Sequence, residues 1–408
     1  MGVVDAWLRM PLSIALVFCL WASSSVSGAG LRDTVKQLWG GDGIKLQASP
    51  PPFPSHEPHF VASSLQGLDA LDSALASNLR LPAFNSSVTG FTFDVERGVP
   101  VRTTESLGPL LAERATTLGA RKLNLAFAYT RLDFKRFDGR SLSHLSLTFA
   151  HEDVNQNNRL DETGPFRFES DVIQADLDLE ITEDIFAIFA TYGLTRNWDV
   201  GVIVPFNHIR LRARAEATIV RNSDISALVH NFGPNSDPPT DTGGGERTGI
   251  GDVILRTKYN FVRNQAGWPD LAVVGEVKLP SGDADDLLGT GETNLAALLV
   301  ASRSFGPLTP HLNLGFEWTT EGSEENNLRY VAGIDARVYP RLTLALDVLG
   351  RWQPHGDGIG DHVLDLALGA KLNIFRTFLL NANVQLPLNK DEGLRANVIW
   401  TGGVEYTF

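Results

Sequence analysis

The sequence predicts an all-β fold: a closed antiparallel transmembrane β-barrel of about fourteen strands, preceded by an N-terminal segment that stays outside the barrel wall. Three observations predict it. Hydrophobicity alternates with period two through most of the chain after Ser86, and tight connections alternate with long polar ones. No apolar run beyond the N-terminus approaches the ~18–20 residues that a spanning helix needs.

Residues 1–28 read as an export signal, because Arg9 precedes an apolar stretch from Leu12 to Ala22 and small residues follow through Gly30. Residues 29–85 read as a periplasmic segment or a plug. Its stretch from Ser49 to Pro58 is rich in proline, and Leu65, Leu68, Leu71, Leu75 and Leu79 recur at the spacing of one short helix.

Residues 86–408 make the expected barrel. Its first strands are Ser87 to Arg97, Lys122 to Phe134, Leu142 to His151, Val172 to Tyr192, Trp198 to Ile219, Gly249 to Phe261 and Leu271 to Pro280. Thr293 to Arg303, Thr309 to Trp318, Leu328 to Val338, Leu342 to Trp352, Val363 to Asn373, Phe378 to Leu388 and Arg395 to Phe408 follow. In the last, Leu394, Ala396, Val398, Trp400, Val404, Tyr406 and Phe408 share one face, while Arg395, Asn397, Thr401, Glu405 and Thr407 share the other. A soluble sandwich alternates in the same way, so the connections decide. Phe137-Asp138-Gly139, Thr195-Arg196-Asn197, Tyr339-Pro340-Arg341 and Phe375-Arg376-Thr377 are tight. Arg102 to Gly119, His151 to Asp171, Asn222 to Thr248 and Ser281 to Gly291 are long, the pattern of periplasmic turns and external loops. Hydrocarbon offers no hydrogen bonds, so such a sheet must close on itself. The apolar phase slips between Val200, Val202, Val204 and Phe206 and the later Ile209, Leu211 and Ala213, which predicts a bulge near Pro205.

With 35 basic against 48 acidic residues the formal charge is -13, which disfavours nucleic acid as a partner. The single cysteine, Cys19, lies in the export signal, so the mature chain is expected to hold neither thiol nor disulfide.

Thr248-Gly249-Ile250-Gly251-Asp252 followed by Val253-Ile254-Leu255-Arg256-Thr257-Lys258-Tyr259 resembles the outer-membrane proteins of the "Putative MetA-pathway of phenol degradation" family. Ala190-Thr191-Tyr192-Gly193-Leu194-Thr195, Trp198-Asp199-Val200-Gly201 and Lys278-Leu279-Pro280-Ser281-Gly282-Asp283 are similar to that family's recurring segments. The resemblance spans Ala187 to Phe408 and implies an outer-membrane barrel that passes small apolar or aromatic compounds; a gated passive path with no cofactor and no covalent chemistry is the reading this leads to. A structural or surface-binding barrel that acts through its external loops is the alternative, and a hydrolase is a third.

Asp252, Arg256, Lys258, Glu276, Lys278, Glu317, Arg329, Asp335, Arg337, Asp347, Arg351, Asp365 and Lys371 fall on inward positions. They either wet a path or pair across strands and fill the interior. Arg210, Arg212 and Arg214 share one face of the long hairpin near the outer rim, where they would meet anionic solutes, lipopolysaccharide phosphates or only water. Lipid, the barrel-assembly machinery and a small solute are therefore the expected partners, and Phe408 resembles the terminal signal read by that machinery.

His144-Leu145-Ser146 with Asn158 is similar to the His-x-Ser and later Asn of an outer-membrane phospholipase, but Leu147-Thr148 departs from its pattern and both polar side chains are expected to face the lumen. Asp153-Val154-Asn155-Gln156-Asn157 starts like a calcium loop, yet Asn158 and Gly164 replace the glycine and glutamate such a loop needs. Gly249 and Gly251 lack the helix of a nucleotide fingerprint and are expected to let the backbone bend, with Asp252 capping the turn. Trp318, Tyr330, Trp352, Trp400, Tyr406 and Phe408 would form an interfacial girdle.

Overall fold

The structure is a computed structural model that describes residues 30–38, 91–94, 99–102, 105–151, 153, 167–222, 229–232, 240–263, 265–320, 326–355 and 361–408. The strands in chain order are β1 (Phe91–Asp94), β2 (Val99–Arg102), β3 (Leu123–Phe137), β4 (Arg140–Ser141), β5 (Leu145–Ala150), β6 (Val172–Gly193), β7 (Trp198–Val220), β8 (Thr240–Ile250) and β9 (Ile254–Val262). They continue as β10 (Asp270–Lys278), β11 (Asn294–Ser302), β12 (Leu308–Thr319), β13 (Asn327–Tyr339), β14 (Leu342–Trp352), β15 (His362–Phe375), β16 (Phe378–Pro387) and β17 (Leu394–Thr407). No helix among the described residues is long and apolar enough to cross a membrane.

Among the described residues one antiparallel sheet holds fifteen strands, and it closes because β3 pairs with both β17 and β6. β4, β5 and β8 only extend neighbouring strands, which leaves twelve staves against the fourteen or so expected. Two expected staves account for the difference. The segment Ser87 to Arg97 contributes β1, which pairs only with β2 in a separate two-stranded sheet. The segment Leu142 to His151 contributes β5, which lies beside the far end of β6 instead of crossing. The expected helix from Ser64 to Leu79, the export signal and most of the calcium-like loop lie outside the described residues.

At one end, here the lower, Phe408 pairs with Leu123 and the turns at 194–197, 340–341 and 376–377 are tight. The upper end carries the longer connections. Phe137-Asp138-Gly139 belongs to this upper end, where it links β3 to β4, and not to the short turns below. Outward rows are apolar: on β12, 12 residues long, they are Leu308, Pro310, Leu312, Leu314, Phe316 and Trp318, close to the ~9–11 residues that span hydrocarbon. Trp198, Tyr259, Trp268, Tyr339 and Phe408 are exposed at the lower rim, and Trp318, Trp352 and Trp400 higher up.

β6 and β7 run 22 and 23 residues and remain paired in one register from Val172↔Val220 to Gly193↔Asp199. No bulge interrupts them at Pro205. The slip in apolar phase has another cause: the surroundings change along the strands. Phe186, Ile188, Val204 and Phe206 point outward below, whereas Asp178, Glu180, Thr182, Arg210, Arg212 and Arg214 point outward above. Inside the upper part, Leu177, Leu179, Ile181, Ile209 and Leu211 form a core with Leu132, Phe134, Leu145 and Phe149. Leu31, Val35 and Leu38, from a short helical turn near the N-terminus, and Leu287 and Leu288 complete it. The outer face therefore passes from hydrocarbon to water between Phe186 and Asp184, and the inner face takes over the apolar side chains.

Candidate functional site

The interior below that core is filled by residues 105–121, expected as an external loop. They enter from the lower end, rise into the lumen and return to start β3. Arg121, at φ 59°, donates its N–H to the Gly193 carbonyl at 2.7 Å. The approach is so close that a Cβ on Gly193 would sit 1.8 Å from the Gly119 carbonyl oxygen, so only glycine fits.

A segment without secondary structure brings unpaired backbone groups into a closed space, and the barrel wall has to satisfy them. It does so with inward side chains. The Leu107, Leu111, Glu113 and Ala115 N–H groups donate to Thr343 Oγ1 (2.8 Å), Asp347 Oδ2 (3.3 Å), Asn313 Oδ1 (2.7 Å) and Ser302 Oγ (3.1 Å). Asn313 Nδ2 returns a bond to the Glu113 carbonyl at 2.9 Å, Asn260 Nδ2 reaches the Ala115 carbonyl at 2.9 Å, and the Leu118 N–H meets Asp199 Oδ2 at 2.8 Å. Much of the lumen's polarity is thus a set of sockets for this plug.

Charges lock it. Glu113 takes Arg256 at 2.6 Å and Lys258 at 3.1 Å; Arg256 continues to Glu276 at 3.1 Å, and Arg329 bridges Glu276 (2.9 Å) and Glu317 (3.4 Å). Arg114, almost wholly buried, pairs with Asp335 and Ser106. His311 lies between Asp347 (2.7 Å) and Asp335 (3.5 Å). Elsewhere Lys371 meets Glu405 at 3.0 Å, Arg395 meets Asp365, and Arg337 meets Glu105 at the lower mouth. Asp252 accepts from the Gly282 and Thr290 N–H groups at 3.1 and 2.9 Å and faces Lys278 at 3.3 Å, so it ties the loop after β10 to the start of β9.

The charged positions assigned to the interior from sequence are gathered there, and all but Arg351 are named in these pairs. Arg351 stands directly across from Arg329 in the β13–β14 register. Sequence reasoning missed Glu113, Arg114 and His311; it placed Arg395 and Glu405 on the polar face of the last strand without their partners Asp365 and Lys371. Nothing in the spacing of Leu110-Leu111-Ala112-Glu113 separates a plug from a surface loop.

Above the plug lies a cavity of about 200 Å³. Leu132, Phe134, Ile203, Leu298, Val331 and Ile399 form its apolar wall, and Glu113, Arg256, Glu276, Arg329, Arg351, Asp365 and Arg395 its charged floor and side.

Arg210, Arg212 and Arg214 stand on the water-facing outside of β7, near Glu246 (2.5 Å), Glu180 (3.5 Å) and Glu216 (3.7 Å) respectively. The hydrogen bond from Arg210 holds the exposed Glu246 carboxyl below its ordinary value. His144 and Ser146 do not face the lumen as expected. Leu145 and Phe149 are buried in the upper core, which turns Ser146 outward, and His144 Nδ1 lies against Ser143 Oγ at 2.8 Å.

The family model described as "Putative MetA-pathway of phenol degradation" matches residues 164–400, more than half of the 408-residue chain. The chain belongs to this family. Its matched region contains β6 to β16 and the first half of β17, together with most of the charged interior, while β3 and the plug precede it. No curated protein matches the chain. Solved structures similar in fold include an outer-membrane channel from Pseudomonas putida F1, with TM-score 0.43 and 13% identity over 72% of this chain and 98% of that one. The NanC porin aligns with TM-score 0.37 and 8% identity over 70% and 98%. The toluene transporter TbuX of Ralstonia pickettii aligns with TM-score 0.33 and 12% identity over 71% and 90%.

Proposed function

We propose that this family member is a passive channel of the Gram-negative outer membrane for small apolar or aromatic compounds, closed at rest by residues 105–121. The observation that carries the reading is the chamber itself: a space with one apolar wall, inside a barrel whose lower passage a hydrogen-bonded and ion-paired segment fills. A family named for phenol degradation accords with an aromatic solute. The exposed apolar staves and the closed sheet support a bilayer setting, since a sheet in lipid can leave no edge. The reading includes export by residues 1–28, insertion by the barrel-assembly machinery through Phe408, and contact of the outer rim with lipopolysaccharide.

Glu113 is the point of leverage. Replacing it by Ala leaves Arg256 and Lys258 facing each other without their shared carboxylate, a loss of about 3–5 kcal/mol for a buried pair. In planar bilayers the native protein should show small, brief conductance events, and Glu113→Ala long-lived larger ones. Proteoliposomes should take up toluene faster than glucose. A native protein with a large steady conductance contradicts closure by the plug, and proteoliposomes that admit no aromatic compound contradict transport.

A further inference from the structure

The plug is bonded along one arc of the barrel wall. Its bonds run to Asp199 on β7, Lys258 and Asn260 on β9, and Ser302, Asn313 and Asp347 on β11, β12 and β14. On the next two staves the contact is of another kind. Leu110 is buried against Ala367 of β15. The fit is tight, since a Cβ on Gly369, also of β15, would collide with Leu110 Cδ1 and lie 2.7 Å from Asn383 Cβ. Asn383, on β16 across from Gly369, is buried beside this contact, and neither its Oδ1 nor its Nδ2 has a hydrogen-bond partner among the described residues. An amide buried without partners raises the free energy of the closed arrangement, and access of water to it removes that cost. Asn383 also lies in line with the chamber. Gln385, the next inward residue up β16, lines the chamber, and Asn381 continues the row toward the lower end. Parting the plug from the bonded arc would leave buried charges unpaired and break several hydrogen bonds, whereas parting it from β15 and β16 uncovers a leucine and hydrates an amide.

We propose that the solute passes between the plug and the β15–β16 wall, along Gln385, Asn383 and Asn381, with Leu110 as the residue that closes the way, while the side of the plug facing β7 to β14 stays bonded. The proposal rests on the channel reading and says on which side of the plug the channel opens. Leu110 closes the way by packing on Ala367 and Gly369; Asn383 favours opening, because its amide meets water or solute only when Leu110 moves off. Loss of Glu113 acts differently, since it loosens the bonded side and frees the plug as a whole.

Two reducible cross-links in the full chain, on a Cys19→Ser background, separate the two sides of the plug. Leu110→Cys with Asn383→Cys ties it across the proposed path, and Ala115→Cys with Ser302→Cys ties it where it is already bonded. Each pair is joined by a short bis-thiosulfonate linker during refolding, its closure is checked by mass, and heat-modifiable migration in gels checks that the barrel is folded. Toluene uptake by proteoliposomes and the frequency of conductance events in planar bilayers are then compared with the same protein after reduction. The 110–383 link should lower both at least tenfold, with recovery on reduction, and the 115–302 link should leave both within twofold. Without any link, Asn383→Leu should lower the event frequency severalfold and Leu110→Ala should raise it. A 115–302 link that blocks as fully as the 110–383 link means that the plug leaves as a whole and overturns this proposal alone. A 110–383 link without effect overturns it as well, as does an Asn383→Leu variant that opens more often than the native protein. If the reduced proteins and the native one all fail to admit toluene, the channel reading falls with it.

Discussion

The two halves of the β6–β7 hairpin share strands, register and hydrogen bonding, yet they are built with opposite polarity. Below Asp184 and His208 the outward side chains are Phe186, Ile188, Val204 and Phe206; above, they are acids and arginines over a core of Leu177, Ile181, Ile209 and Leu211. Backbone geometry cannot be the cause, because it does not change. What changes is the medium outside, hydrocarbon below and water above, and a strand places its apolar side chains toward whichever neighbour is not water. The inner face of the barrel adjusts accordingly: polar sockets for a plug in the lower part, a packed core in the upper.

Several substitutions break or sharpen this contrast. The largest effect after the loss of Glu113 is expected inside the upper half, where Leu177→Ala should cost about 2–5 kcal/mol in denaturant titrations, as in a soluble core. Leu312→Ala, on the lipid face, should cost far less, because its neighbours are mobile acyl chains. Next, Leu312→Arg should cost about 2–4 kcal/mol in refolding into lipid, whereas an arginine at Glu180, above the boundary, should refold like the native protein.

A smaller change of opposite sign is expected at Glu183. This carboxylate is buried between Leu132 and Ile209 in the cross-strand register, and neither of its oxygens has a hydrogen-bond partner. Glu183→Leu should therefore stabilise the barrel by about 1–3 kcal/mol, read in the same titrations; a destabilised variant would mean that the carboxylate has an unrecognised stabilising role.

The smallest effect belongs to the exposed Arg210–Glu246 pair. The Glu246 carboxyl is held below its ordinary value, so its contribution is present above the ordinary carboxylate value and fades as pH falls through the depressed one. Glu246→Gln should leave the melting temperature unchanged near neutral pH, because solvent screens so exposed a pair.

The same contrast explains what was legible in the sequence. Period two located the staves from Trp198 onward and placed Asp335, Asp347 and Lys371 on the inner face, because alternation reports which residues share a side. It does not report what lies on that side or at what height. Hence His144 and Ser146 read as lumen-facing, when Leu145 and Phe149 take the inner side and pack into the core. The shift after Phe206 read as a bulge when it marks the membrane boundary. β8 escaped notice because Thr242-Gly243-Gly244-Gly245 has no alternation; there Gly243 and Gly245 make room for Thr34, Leu38 and Leu31. The plug was invisible for a related reason: its bonds run from its own backbone to side chains of distant strands, and such pairing imposes no local period.

The boundary along β6 offers the most direct test. Cys19 is the only cysteine of the sequence, so single cysteines at Asp178, Glu180, Phe186 and Ile188 can be labelled with an environment-sensitive fluorophore on a Cys19→Ser background and reconstituted into bilayers containing nitroxide lipids. The account predicts strong quenching and blue-shifted emission at Phe186 and Ile188, with aqueous emission and weak quenching at Asp178 and Glu180. Uniform aqueous emission at all four positions would contradict it.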